Sequence, residues 1–192
     1  KAPEKKVVSA LRKLLPEAGF IAEEGSAAYS DETYCWVVDP LDGTTNYIHD
    51  NAPYCVSIAL RDKQSLLLGV VYEPCRDECF YAWKGGGAYV NGERLRVSLV
   101  SEPKDAFVVT ELPYNFEQYA RTGEHLIHEL YGKVAGIRMN GSAALALCYV
   151  AAGRFDAWLE AFIGKWDFSA AALMVLKSRL LAMKHEEEAA QA

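Results

Sequence analysis

Asp39 and Asp42 stand three residues apart, with Pro40 and Leu41 between them, at the end of the apolar run Tyr34-Cys35-Trp36-Val37-Val38. A continuous run of this kind reads as a buried strand that stops at Asp39-Pro40, and the proline stiffens the turn beyond it. Such a turn can aim both carboxylates and the Leu41 carbonyl at one point. Hard cations, Mg²⁺ among them, take oxygen donors of this type. Gly43 lets the backbone approach an anion closely, and the N–H groups of Gly43, Thr44 and Thr45 open the next helical turn as a cradle for phosphate. The same spacing fits an Asx-type turn with two solvated acids. Spacing alone leaves both readings open.

Two further acidic features are weaker on their own. Glu23-Glu24 follows a short predicted strand, where adjacent surface acids are common. Trp166-Asp167 falls at a predicted strand-to-helix junction, where Asp167 has a plain use as a helix N-cap. Taken with Asp39 and Asp42, these acids supply the carboxylates that a multi-metal phosphate site requires. The histidines His49, His125, His128 and His185 fall in none of these motifs.

The elements that must position these groups follow from periodicity and turn signals. Val7, Val8, Leu11, Leu14 and Leu15 recur at helical spacing over residues 4–15, and Pro16 with Gly19 ends that helix. Phe20-Ile21-Ala22 is a short strand leading to Glu23. Beyond residue 50, the stretches 56–60, 66–72, 79–83 and 88–90 are strand-like. They are separated by turns at Asp62-Lys63, Glu73-Pro74, Gly85-Gly86-Gly87 and Asn91-Gly92, as in an antiparallel meander. The second half alternates: strand 106–110, helix 116–131, strand 134–138, helix 142–152 capped by Ser142, strand 155–160, then helix from Phe168 to the end. The pattern predicts one layered α/β fold of the α+β type with two subdomains, about 1–105 and 106–192.

Composition limits the alternatives. The chain has 192 residues, 51% of them hydrophobic and 24% charged, enough to bury a core without disulfides. A net charge of −6 with both signs scattered argues against nucleic acid as a main partner. No stretch approaches the roughly 18 apolar residues of a membrane span. The basic, amphipathic first fifteen residues do not read as a signal peptide. Five cysteines without framework spacing predict reduced thiols and a cytoplasmic protein. Cys75 and Cys79 lie four apart, with no second pair to complete a zinc site.

Three motifs in order resemble those of the inositol monophosphatase family, part of a Mg²⁺-dependent, lithium-sensitive phosphatase superfamily. They are Ala22-Glu23-Glu24-Gly25-Ser26, then Asp39-Pro40-Leu41-Asp42-Gly43-Thr44-Thr45-Asn46-Tyr47, then Trp166-Asp167-Phe168-Ser169-Ala170-Ala171. Asn140-Gly141-Ser142-Ala143-Ala144 resembles the family's helix start. The resemblance covers about residues 5–175.

It implies an α-β-α-β-α sugar-phosphatase fold, with a mostly antiparallel first sheet and a mixed second sheet. It implies two or three Mg²⁺ ions held by Glu23, Asp39, the Leu41 carbonyl, Asp42 and Asp167, with Asp39 bridging. Thr44 and Glu23 would activate the attacking water, and the Gly43 and Thr44 amides would hold the phosphate. Asp42, Gly141, Ser142, Ala143 and Glu160 would face the substrate, a small phosphorylated polyol or sugar. A homodimer is implied as well.

Thr45-Asn46-Tyr47 resembles the inositol-directed form of the central motif. Fructose-1,6-bisphosphatase-like, histidinol-phosphatase and 3′-phosphonucleotide phosphatase activities are the alternatives within the class, and a non-catalytic regulatory relative is the alternative outside it. The family's N-terminal helices and its usual Glu-Ala-Gly-Gly-like turn after Asp167 have no counterpart here. Omitted stretches are therefore expected at the start and near residue 175.

Overall fold

The computed structural model describes residues 2–25, 29, 31–112, 116–160 and 163–190, with the side chains of 116, 118, 119 and 179–190 left aside. Ser26 of the first motif and residues 191–192 of the predicted last helix lie outside the described residues.

The first helix, α1 (Ala2–Leu14), turns Glu4, Val8 and Leu11 inward, one side chain per turn. Strands β1 (Gly19–Ala22) and β2 (Tyr34–Asp42) pair in parallel, with Ala22 beside Val38. A short helix α2 (Thr44–Ile48) follows. The expected meander then forms from β3 (Cys55–Asp62), β4 (Leu66–Glu73), β5 (Glu78–Trp83), β6 (Ala88–Val90) and a two-residue β7 (Glu93–Arg94). Together these strands make a seven-stranded sheet in sequence order, antiparallel except at β1–β2.

The second half contains β8 (Phe107–Glu111), α3 (Phe116–Leu130), β9 (Gly136–Arg138), α4 (Ala143–Ala151), β10 (Ala157–Glu160) and α5 (Lys165–Ala190). Its three strands lie in the order β10-β8-β9.

Both predicted layers are present, with two corrections. The second sheet was expected to be mixed, but both of its described pairings are parallel. The cause lies in the connections: α3 links β8 to β9 and α4 links β9 to β10, and each helical crossover returns the chain in its original direction. The second correction concerns β2, which runs on to Asp42 instead of stopping at Asp39-Pro40.

Val38, Trp36 and Phe20 pack with Val8 and Leu11 of α1 on one face of the first sheet. Val37, Ala59, Val71, Phe80 and Ala82 pack on the other face against Leu145, Cys148, Ala170 and Met174 of α4 and α5. A strand covered on both faces has no polar face to show, which explains the unbroken apolar run of β2. Val109 of β8 joins the second core and so ties the two sheets together. Gly69 of β4 sits where α5 comes closest, and any Cβ there would run into the backbone carbonyl of Ala170.

Candidate active site

The predicted acids converge because strand ends do. Ala22 and Val38 are partners at the end of the parallel β1–β2 pair, and the Glu23 amide donates to the Val38 carbonyl (3.3 Å). Glu23 and Asp39 therefore leave neighbouring strands at the same level. Glu4 of α1 is fully buried, and its carboxylate accepts the Glu24 amide (2.8 Å), fixing the turn that carries Glu23.

The separation of Asp39 from Asp42 would point their side chains to opposite faces of a regular strand. A bulge prevents this. Asp39 is opposite Ser57 and Asp42 opposite Cys55, so β2 advances three residues while β3 advances two. The extra residue brings both carboxylates to one side. Asp39 closes the bulge internally by accepting the Leu41 amide (2.8 Å).

Asp167 lies in the first turn of α5, which begins at Lys165, three residues earlier than predicted. Its Oδ2 accepts the Gly164 amide (2.6 Å), the acid-to-N-cap half of a capping box. Asp167 is therefore not the N-cap itself but the third helical residue bonding back to it, and this role coexists with clustering. One carboxylate oxygen from each of Asp39, Asp42 and Asp167 falls within 4.8 Å of the others.

Asp42 is held from the far side by α4. Its Oδ2 accepts the Ser142 hydroxyl (2.5 Å), the Ala144 amide (2.9 Å) and, more weakly, the Cys55 thiol (3.7 Å). All three bonds go to the same oxygen of Asp42. Ser142 also caps α4 as predicted, its oxygen accepting the Leu145 amide.

These groups open on a cleft of about 520 Å³ lined by Glu23, Asp39, Leu41, Asp42, Gly43, Thr44, Thr45, Gly141, Ala143, Glu160 and Asp167, together with Glu111, Leu112, Met139, Ile163, Gly164 and Trp166. Ser142 is absent from that lining and only 1% exposed. It had been expected to face substrate, but the N-cap geometry that starts α4 turns its hydroxyl inward to Asp42.

Gly43 adopts φ 86° and heads α2, and a Cβ there would press on the Pro53 carbonyl at 3.0 Å. Helical bonding in α2 starts with the Tyr47 amide donating to the Gly43 carbonyl, so the first-turn amides have no acceptor within the helix. The Thr44 hydroxyl donates to the Leu41 carbonyl (2.9 Å).

The electrostatics follow from burial and crowding. Asp39 is pushed up to about 9, first by burial and then by the charge of Asp42. Burial raises Asp42 to about 6 against the pull of its Ser142 and Ala144 bonds. Glu160 rises to about 8 through burial and the nearby charges of Glu111, Asp167 and Asp42. Asp167 is raised by burial, opposed by the Gly164 amide. Glu23 is raised by burial, opposed by its hydrogen bond with Asp39. A divalent cation held by Glu23, Asp39, Asp42 and Asp167 would offset the penalties on those four, since it favours the charged form of a ligand. The all-oxygen donor set fits Mg²⁺ and gives a thiophilic metal nothing to hold.

Three contributors were not singled out from sequence. Glu4 had a legible signal, an acid on the apolar face of a helix four residues before Val8. Asn46 was read only as part of its motif. Its Nδ2 donates to the carbonyls of Pro53 (2.8 Å) and Asn140 (2.7 Å), linking α2 to the loop before α4. Glu111, at the end of β8, gave no sequence signal.

A layered α/β fold brings three acids together at the end of β2 and the start of α5, and comparison places the chain in a family. A profile of the inositol monophosphatase family matches residues 1–177, and this chain belongs to that family. It is 42% identical over 176 residues to the Escherichia coli K12 protein named Nus factor SuhB, covering 91% of this chain and 66% of that protein. It is 43% identical over 188 residues to inositol monophosphatase 2 of Solanum lycopersicum, covering 93% and 70%. The solved inositol monophosphatase of Anabaena (Nostoc) sp. PCC 7120 superimposes with a TM-score of 0.83 at 36% identity, over 91% of this chain and 70% of that one. The chain thus spans just under two thirds of the length of the Escherichia coli relative.

Proposed function

We propose that this chain carries the active site of a Mg²⁺-dependent phosphomonoesterase acting on inositol monophosphate or a related small polyol or sugar phosphate. The observation that carries the proposal is the convergence of Asp39, Asp42 and Asp167 within 4.8 Å in a cleft that also holds Glu23 and Thr44.

Asp39, Asp42, Asp167, Glu23 and the Leu41 carbonyl would hold two or three Mg²⁺ ions. Bound there, Mg²⁺ supplies charge neutralisation for the phosphoryl oxygens and lowers the pKa of water, which this slow hydrolysis demands. The Thr44 hydroxyl donates to the Leu41 carbonyl, which leaves its lone pairs to accept a hydrogen bond from the attacking water. Glu23, which lines the same cleft, would take the proton that the water gives up. The amides opening α2 would bind phosphate oxygens. Gly141, Ala143 and Glu160 would contact the hydroxyls of the leaving group, and Asp42 reaches the same space. Family kinship also supports a cytoplasmic homodimer inhibited by lithium.

The test is a Mg²⁺-activated phosphatase panel of inositol 1-phosphate, fructose 1,6-bisphosphate, histidinol phosphate and phosphoadenosine phosphate. Preference for inositol 1-phosphate is the expected result, and strong preference for phosphoadenosine phosphate overturns the substrate assignment. A second reading, a regulatory protein acting through a partner, is favoured by the Escherichia coli relative named as a Nus factor. Asp42→Asn separates the two: biological function preserved in that variant counts for the regulatory reading.

A further inference from the structure

One stretch of the cleft wall, next to Asp42, is built around one peptide. Glu111 ends β8 beside Glu160, its partner in the parallel β8–β10 register, and both carboxylates line the cleft. Glu111 Oε1 accepts two backbone amides at once, from Asn140 and from Gly141, each at 2.7 Å. The Asn140 carbonyl is gripped from the other side by Asn46 Nδ2 at 2.7 Å. Gly141 sits at φ 73°, and a Cβ there would meet the Asn46 amide at 2.8 Å. The next residue, Ser142, gives its hydroxyl to Asp42. The second sheet, through Glu111, and α2, through Asn46, thus hold one peptide between them, and that peptide carries the cleft rim.

We infer that Glu111 is a positioning residue for leaving-group recognition: it clamps the Asn140–Gly141 peptide, and so places Gly141 and Ala143 against the substrate. The inference rests on the phosphatase reading for its substrate but not for its geometry. A carboxylate receiving two amides makes charge-assisted bonds that a water would replace poorly. Removing it frees the rim while leaving Asp39 and Asp42 on β2 and Asp167 on α5.

The experiment compares Glu111→Ala and Glu111→Gln with the wild-type chain by amide hydrogen exchange and by steady-state kinetics on inositol 1-phosphate. In Glu111→Ala, exchange at Asn140 and Gly141 should quicken by about tenfold or more, because the clamp opens locally. KM should rise by about tenfold while kcat moves by less than about threefold. Glu111→Gln keeps the acceptor oxygen and should restore both. Unchanged exchange in Glu111→Ala overturns the inference, as does a kcat that collapses at constant KM. So does a Glu111→Gln variant as impaired as Glu111→Ala. If the wild type fails to turn over inositol 1-phosphate, that substrate assignment falls, and the exchange comparison still decides the clamp.

Discussion

Asp39 and Glu160 are both raised carboxylic acids in one cleft, yet amidation should affect them differently. Asp39 stands among the three clustered acids, whereas Glu160 lies beside Glu111, on the side proposed to meet the leaving group. Asp39→Asn is expected to lower kcat/KM on the order of a thousandfold, because it removes a carboxylate that would hold metal in the proposed site. Glu160→Gln should mainly change KM and the range of polyols accepted, by about tenfold. Steady-state kinetics on a series of polyol phosphates distinguishes these outcomes, and equal losses in both variants would contradict the division of roles. Ser142→Ala removes an N-cap and one bond to Asp42 together. It should lower stability by about 1–2 kcal/mol, read from urea denaturation. Asp39, Asp42 and Asp167 were legible from motif order. Glu111 was not, since its use depends on a loop 29 and 30 residues away.

At the level of elements, the bulge in β2 and the approach of α5 to β4 matter most. The sequence marked Asp39-Pro40 as a stop, because proline usually leaves a ladder. The strand continues because the bulge absorbs that defect while β3 still pairs with Asp42. Gly69→Ala tests the second contact. The added methyl meets the Ala170 backbone, which cannot rotate aside, so a loss of about 1–3 kcal/mol is expected in equilibrium unfolding. Wild-type stability in that variant would show that α5 can shift at no cost. The meander was readable from its turn residues. The parallel second sheet was not, because strand direction is set by where each helix returns the chain.

Across the whole molecule, crowding of buried acids links stability to pH and to metal. Asp39 and Glu160 have folded values of about 9 and 8, well above the carboxylate values of 3.8 and 4.5 that stand for the unfolded chain. The folded state then binds more protons than the unfolded state between those limits. Stability is fully present below about pH 4 for these two groups and is lost as pH rises through 8 to 9. Without metal, the urea midpoint should fall between pH 5 and pH 9. Added Mg²⁺ should raise it more at pH 8.5 than at pH 5, because the ligands must be deprotonated to bind. A midpoint that rises with pH in the metal-free protein, or a Mg²⁺ effect independent of pH, would contradict this linkage.

By itself the sequence determined which chemical groups this protein brings to its site. The Asp-Pro-Leu-Asp-Gly-Thr run, Glu23 and Asp167 are local patterns, and residue type alone decides that their oxygens suit a hard cation. The strand and helix periods were equally local, and most of them were legible to within a few residues. Only the tertiary structure decided which oxygen of Asp42 is occupied by α4, that Ser142 turns inward, and that Glu111 and Asn46 grip one peptide from opposite sides. Those facts depend on contacts between residues from 29 positions apart, as Glu111 with Asn140, to 100, as Asp42 with Ser142. No local periodicity encodes the register in which such distant segments meet.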